Sequence, residues 1–487
     1  MRVLGLYCGH DASAAVVEDG KVLCAIEEER LTGIKKQGGF PARAVMYICK
    51  QLNCSPWNFD KVMIATPNLH WGRTHAIDSQ PFQIMYPFAT LVPHHEAHAA
   101  LAYAWSGFDE CTVLTLDGGG DEYFGSINHA KDGKIERIYS LRKDECEAFG
   151  MLYYYVTEAL GFIPNRHEGK IMGLAAHGKD KGYFDDLFWN DGPMIRAKGK
   201  REDMIVFNRL NKYAGKAIRE DIAASCQRHF EKVIATWVHE NLTSRNLAVS
   251  GGCFANVLAN MKISKMVDRF FVAPAMMDNG LSIGAALCGF DKIPVERPKS
   301  MYFGPSTDPR EKNQHSAELI AQAITKGSIV GLFQGKMEFG PRSLGNRSIL
   351  ADPRDASIND KLNTRLNRTE FMPFAPVILE EYAEDILEDY QVGVDNAPYM
   401  TSCWKVKDSW KSKIPAVVHI DGTVRPQVIS RKTNPYYYDI IDEFRKITGI
   451  PVLINTSFNG HEDPIVCFNR EADLALITGK IDKLVEA

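Results

Sequence analysis

The run Pro93-His94-His95-Glu96-Ala97-His98-Ala99-Ala100 sets two imidazoles four residues apart at the start of an alanine-rich stretch. If the stretch is helical with Pro93 in its first turn, His94 and His98 share a face and can chelate one divalent ion, while His95 points elsewhere. The alternative is a helix N-terminus with its polar side chains in solvent. Asp117 and Asp278 each begin a glycine-containing turn after an apolar strand and join the histidines as candidate ligands. Two His with one or two Asp suit iron(II), zinc or manganese better than calcium.

Glycine signals a second chemistry. The turns at 117–120 and 250–252 offer side-chain-free backbone whose amides could approach phosphate oxygens, the second with a helix behind it. Their plainer reading is a hairpin turn and a strand-to-helix turn. In Glu168-Gly169-Lys170-Ile171-Met172-Gly173, a loop entering a helix, Lys170 could neutralise a phosphate or simply be solvated. Residues 335–354, GKMEFGPRSLGNRSILADPR, follow a buried-looking strand and set Lys336, Arg342, Arg347 and Arg354 among glycines. That pattern suits a polyanion pocket better than a core. Arg368, Arg425, Asn455 and Ser457 add polar groups at element ends, where ligands of α/β sheets bind.

The elements that must carry these residues form a repeat. Strands are expected at 3–7, 14–17 and 22–27 with an Asp19-Gly20 turn, and again at 113–116, 123–128 and 135–141 with an Asp132-Gly133 turn. Helices at 149–160 and 222–242 and strands at 247–250 and 270–273 continue the second copy. Prolines at 293–305 mark a boundary, and strands at 328–333 and 451–455 belong to a further α/β unit. The paired meanders resemble the duplicated, bilobed actin/hexokinase/sugar-kinase architecture, over residues 1–295, with a second domain at 296–487.

Composition bounds the rest. The 487 residues are 45% hydrophobic and carry 57 basic against 61 acidic side chains, a net charge of −4. This excludes disordered, collagenous and small disulfide-rich classes. It offers no general attraction to duplex DNA or an anionic membrane. The 11 cysteines include no CxxC pair and read as reduced thiols. With no leader-like segment and no 18-residue apolar run, a cytoplasmic protein that does not span a membrane is expected.

Taken together, GHDASAAVVEDG, EEER, HHEAHAA, LDGGGD, EGKIMGLA, SGGCFAN, FGPRSLGNRSILADPR, PFAP and LINTSFN resemble the NodU/CmcH carbamoyltransferase family over nearly the whole chain. The resemblance implies a Kae/TsaD-like transfer domain followed by a YrdC-like domain. It implies that ATP and carbamoyl phosphate give carbamoyladenylate in the second domain, and that the carbamoyl group then passes to an acceptor hydroxyl in the first. The family's metal ligands fall on His94, His98, Asp117 and Asp278, with iron(II) the implied ion. His10 falls on the acceptor-site histidine and is nominated as general base, since an imidazole titrates near neutrality. Lys35 falls on a lysine that faces the adenylate. Glu168, Lys170, Gly251, Gly252 and Asn256 would bind nucleotide in the first domain. Lys336, Arg342, Arg347, Arg368, Arg425, Asn455 and Ser457 would hold ATP and carbamoyl phosphate in the second, with magnesium a further option beside ATP.

The chain departs from the family at Leu366, where a lysine is usual and Arg365 is the nearest cation. The acceptor classes are a sugar, a natural product, or a hydroxymethylated pyrimidine in a nucleotide or DNA. The net charge disfavours duplex DNA, while the cationic run at 196–201 (RAKGKR) keeps it open. A homodimer is also allowed. Two other readings are a small-molecule kinase with Asp11 as base, and a tRNA or protein carbamoylation enzyme.

Overall fold

In the computed structural model, which describes residues 1–66, 85–199, 202–213, 217–306, 316–368 and 372–487, both predicted meanders form. The first comprises β1 (Arg2–Tyr7), β2 (Ser13–Glu18) and β3 (Lys21–Glu27). It is followed by β4 (Lys61–Ala65) and β5 (Thr90–Val92), which pair in parallel. The second comprises β6 (Glu110–Gly120), β7 (Tyr123–Lys131) and β8 (Lys134–Arg142), followed by β9 (Asn246–Ser250) and β10 (Arg269–Val272). Both hairpins close on Asp-Gly with two positive φ angles, 47° and 86° at Asp19-Gly20 and 53° and 79° at Asp132-Gly133. This is the turn that matches the twist of antiparallel strands.

The strand orders are β3-β2-β1-β4-β5 and β8-β7-β6-β9-β10, the same pattern twice. In the second sheet, β6, β7 and β8 run antiparallel while β9 and β10 join in parallel. The two copies are the duplication that the paired meanders led one to expect. One local expectation fails. Residues 117–120 are not a turn, because β6 continues to Gly120, which pairs with Tyr123, and the reversal falls at Asp121-Glu122.

The chain folds into two compact units, one of residues 1–4, 10–60 and 298–487, the other of residues 5–9 and 61–297. In the second unit, aromatic and aliphatic side chains of β6, β9, β10 and the helices Met151–Ala159 and Arg219–Glu240 make the core, with Phe149 stacked on Phe230. In the first unit lies a six-stranded mixed sheet, built from β11 (Val330–Phe333), β12 (Arg347–Ala351), β13 (Ala375–Leu379), β14 (Gln427–Ile429), β15 (Val452–Ser457) and β16 (Lys483–Glu486). Their order is β14-β13-β15-β12-β11-β16. Helix Pro435–Thr448 covers this sheet. Asn434 caps it, Pro435 opens it, Gly449 ends it at φ 76°, and Tyr437, Ile440, Ile441 and Phe444 form its buried stripe.

Two expectations about charge are refined here. Of the cationic run, Arg196 pairs with Asp191 at 3.1 Å and Lys198 with Asp186 at 2.5 Å, while Lys200 and Arg201 lie outside the described residues. Among the described residues, no helix is long and apolar enough to cross a membrane.

Candidate functional site

The HxxxH pair does open a helix, His94–Ser106, with Pro93 as the residue just before it. Every residue of this helix except Glu96 is buried, which explains its alanines: neighbours approach on all sides. Gly284, in helix Leu281–Cys288, permits the tightest approach. A Cβ there would lie 2.0 Å from the Ala97 carbonyl oxygen.

His94 Nε2 lies 3.0 Å from Asp117 Oδ2 and 3.7 Å from Asp278 Oδ1. His98 Nε2 lies 3.5 Å from each of those oxygens. The four ligand atoms are mutually within 4.8 Å. Asp117 sits near the end of β6, and Asp278 opens a short turn ahead of helix Leu281–Cys288. Sequence spacing thus located four groups that the fold does bring together.

The surrounding hydrogen bonds fix both imidazole tautomers. His94 Nδ1 faces the Thr66 carbonyl at 3.3 Å, which can only accept, so Nδ1 carries the proton. His98 Nδ1 lies 2.9 Å from Ser250 Oγ, whose proton goes to the Met276 carbonyl, so this Nδ1 also donates. Each Nε2 then presents a lone pair towards two carboxylates, and His98 Nε2, fully buried, makes no hydrogen bond among the described residues. Lone pairs facing anions repel unless a cation or a proton lies between them, so the donor set fits a divalent metal. Without a metal, a proton answers the same demand. Burial opposes charge on His94, but Asp278, Asp117 and Asp121 outweigh it and raise its pKa to about 9. Burial also works against Asp117, yet His95, His94 and His98 hold its carboxyl well below the usual range.

Several contributors were not foreseen. Tyr7 of β1 donates to Asp278 Oδ2 at 2.6 Å, and Gly119 N donates to Asp117 Oδ1 at 2.7 Å. His95 is buried with Nδ1 2.9 Å from Thr115 Oγ1, and burial lowers its pKa to about 3. Of the glycines after Asp117, Gly120 makes room for a histidine: a Cβ there would lie 2.2 Å from the His94 ring. In the chain around Tyr7, nothing but strand alternation distinguishes that residue.

The residues nominated for the first-domain nucleotide are well placed in local structure. Gly251 adopts φ 107° with the Leu116 carbonyl where a Cβ would go, and a Cβ on Gly252 would reach Asp117 at 3.9 Å. Asn256 caps helix Val257–Ser264 through Ala259 N and donates to Gln227 Oε1 at 2.9 Å. Glu168 opens helix Glu168–Ala175, and Lys170 in its first turn is buried.

In the other unit, His10 is exposed with Nε2 3.4 Å from Asp11 Oδ2, and Lys36 reaches the same oxygen at 3.3 Å. Lys35 Nζ lies 3.3 Å from Glu29 Oε1. Burial lowers the Lys35 pKa against the opposing pull of Glu29.

Within 335–354, Glu338 organises the loop by accepting from Leu344 N, Asn346 N and Arg347 N at 2.7, 2.7 and 3.1 Å. Arg347 is fully buried, with its guanidinium on the carbonyls of Gln334, Asn346, Pro305 and Gly335 and over the Phe333 ring. Arg342 is half-buried and Lys336 exposed. Arg368 ties Thr456 Oγ1 and Ser457 Oγ at 2.7 and 3.0 Å. Arg425 follows the short strand Thr423–Val424. Asn455 Nδ2 donates to Ser343 O and Gln427 Oε1, while the buried Asn455 Oδ1 and Ser343 Oγ have no hydrogen-bond partner among the described residues. Leu366 lies in the core, and Arg365 pairs with Asp482 at 2.7 Å, so its guanidinium is already engaged.

Comparison with known proteins places this geometry. The family model for the carbamoyltransferase N-terminus matches residues 2–75 and 81–287, and that for the carbamoyltransferase C-terminus matches 321–486. Nodulation protein U of Rhizobium fredii is 37% identical over 537 residues, covering 94% of this chain and 90% of that protein. Nodulation protein NolNO of Sinorhizobium fredii is 30% identical over 542 residues, covering 98% and 78%. An uncharacterized protein of Methanocaldococcus jannaschii is 32% identical over 520 residues, covering 99% and 98%. Matched in both its halves, and alike to these relatives along almost its full length, the chain belongs to the carbamoyltransferase family and is an enzyme of that type.

Proposed function

We propose that this carbamoyltransferase converts carbamoyl phosphate, ATP and water into carbamoyladenylate, phosphate and pyrophosphate through residues of 296–487, then transfers the carbamoyl group to an acceptor hydroxyl, releasing AMP, through residues of 1–295. The observation that carries the reading is the buried pair of imidazole lone pairs facing Asp117 and Asp278. His94, His98, Asp117 and Asp278 would hold iron(II), or zinc or manganese, and the bound ion would act as a Lewis acid on the carbamoyl oxygen. Ser250 and the Thr66 carbonyl keep both imidazoles in the binding tautomer. His10, its Nε2 near Asp11, would take the proton of the attacking hydroxyl, and Lys35 would meet negative charge on the departing AMP.

In the activating half, Ser343 Oγ and Asn455 Oδ1, which find no hydrogen-bond partner among the described residues, lie beside the loop that carries Arg342 and support a polar, anionic ligand there. Lys336, Arg368, Arg425 and Ser457 would complete that pocket, with Arg347 holding the loop in place. The acceptor is a hydroxyl of a sugar or natural product, or a hydroxymethylated pyrimidine. The pairing of Arg196 and Lys198 with acidic partners favours the small acceptors over duplex DNA.

The test is incubation with isotope-labelled carbamoyl phosphate, ATP and iron(II) against sugars, nucleosides and DNA, followed by mass spectrometry for a product heavier by one CONH unit. Formation of AMP that depends on carbamoyl phosphate is expected, with transfer abolished in His98→Ala. Transfer of the ATP γ-phosphoryl group to the acceptor, leaving ADP, would instead make the protein a kinase and sink the proposal.

A further inference from the structure

The four residues Glu27-Glu28-Glu29-Arg30, although acidic overall, are buried at 4, 5, 8 and 3% exposure. Burying three carboxylates with one guanidinium is costly unless each is used. Glu28 caps the helix Ala42–Gln51 by accepting from Arg43 N and Ala44 N at 3.1 and 2.8 Å. Glu27 and Arg30 point to a different part of the chain. Gly340 N donates to Glu27 Oε1 at 2.8 Å, and Arg30 donates to the Gly340 carbonyl at 3.0 Å. Both polar groups of one peptide residue are therefore held from more than 300 positions away, at a glycine whose φ of 110° few other residues could adopt.

Arg30 is shared. Its guanidinium lies 3.5 Å from Glu27 Oε2 and 3.2 Å from Glu29 Oε1. Glu29 in turn accepts from Lys36 N at 2.7 Å and pairs with Lys35 at 3.3 Å. Gly340 is followed by Pro341 and Arg342, so fixing Gly340 fixes the origin from which the Arg342 side chain starts. Only the planar fork of arginine can face Glu27, Glu29 and a carbonyl at once.

We propose that Glu27 and Arg30 are positioning residues that clamp Gly340 and so set the anion-binding loop bearing Arg342, with Glu29 extending the same frame to Lys35. The clamp is a statement about loop geometry, while its effect on turnover rests on the proposed activation of carbamoyl phosphate with ATP. The two can fail separately.

The experiment compares the full chain with Glu27→Gln, Glu27→Ala and Arg30→Lys. Gln retains an acceptor for Gly340 N, Ala does not, and Lys keeps the charge without the fork. Hydrogen–deuterium exchange of the peptide containing Gly340 is expected to speed up by about tenfold or more in Glu27→Ala and Arg30→Lys, and by less than about threefold in Glu27→Gln, with peptides of the central sheet unchanged. The KM for carbamoyl phosphate should rise by about tenfold in Glu27→Ala with kcat within about threefold, because a misplaced loop weakens binding. In an Arg342→Met background, Glu27→Ala should add less than about twofold, since the effect passes through Arg342. Unchanged exchange at Gly340 in Glu27→Ala overturns the clamp. So does a full multiplicative loss in the Arg342→Met background. If the unmodified chain forms no AMP from carbamoyl phosphate and ATP, the activity reading falls, and the exchange data still decide the clamp.

Discussion

His98 Nδ1 lies 2.9 Å from Ser250 Oγ, and because the serine proton is committed to the Met276 carbonyl, the imidazole must be the donor. A serine at the end of β9 thereby decides which nitrogen of a helix residue faces the two carboxylates. Groups behind the ligands carry as much of the site's design as the ligands themselves.

Tyr7→Phe removes the hydroxyl that donates to Asp278 Oδ2 at 2.6 Å. Iron(II) or zinc affinity, read by competition with a chromophoric chelator, is expected to fall by about tenfold, while stability drops by only about 1 kcal/mol. Unchanged affinity would mean that Asp278 needs no such support.

Gly120→Ala places a methyl 2.2 Å from the His94 ring without altering any ligand. Since the ring must shift, metal affinity is expected to fall by at least about tenfold even if the protein still folds. Metal content by elemental analysis, paired with a thermal melt, checks this. A variant that binds metal as the unmodified chain does would show that His94 has room to spare.

Stability should decline in acid partly through His229. This buried imidazole accepts from Phe188 N at 3.2 Å, and burial lowers its pKa to about 4. The unfolded chain, with a histidine pKa near 6.5, binds the proton first, so His229 favours the fold fully above about 6.5 and loses that contribution as pH falls towards about 4. In His229→Gln, the slope of unfolding free energy against pH in that window should be shallower by up to about 1.4 kcal/mol per pH unit. Parallel urea titrations of the two proteins measure the difference, and identical slopes would refute it.

Leu366→Lys, which installs the lysine that the family resemblance led one to expect, should destabilise rather than improve this enzyme. Leu366 is fully buried in the core of the six-stranded sheet, and an unpaired ammonium there is expected to cost about 3 to 5 kcal/mol in urea unfolding. Equal stability with a lower KM for carbamoyl phosphate would show that the lysine can reach the ligand after all.

The four candidate ligands were legible because chelation demands a fixed spacing: an i, i+4 pair on one helix, and carboxylates at the ends of apolar runs. The Asp-Gly hairpins were legible because few pairs tolerate two positive φ angles. Residues 117–120 were misread because glycine signals both a turn and a place where another side chain needs room, and here the His94 ring occupies that room. Tyr7 and Ser250 were invisible as supports, since what they touch is set by tertiary contacts at separations of 271 and 152 residues. The buried state of Arg347 was hidden for a similar reason. A cation in a glycine-rich loop looks like a ligand contact, and only the folded chain shows four carbonyls already around it.

The helix that carries both imidazoles is enclosed on nearly every side, with Gly284 pressed against its backbone. If an ion is held there as proposed, fraying one turn would not release it, and its exchange would be a matter of kinetics before it is one of affinity. A chelator should strip the protein only as fast as that unit opens, with a half-life that shortens in step with the unfolding rate as urea is added. Removal within seconds in native buffer would show a faster route. Otherwise, whichever ion the proposed site captured as the chain folds would be the one it keeps, and the metal supply during synthesis would decide how much of the protein is loaded.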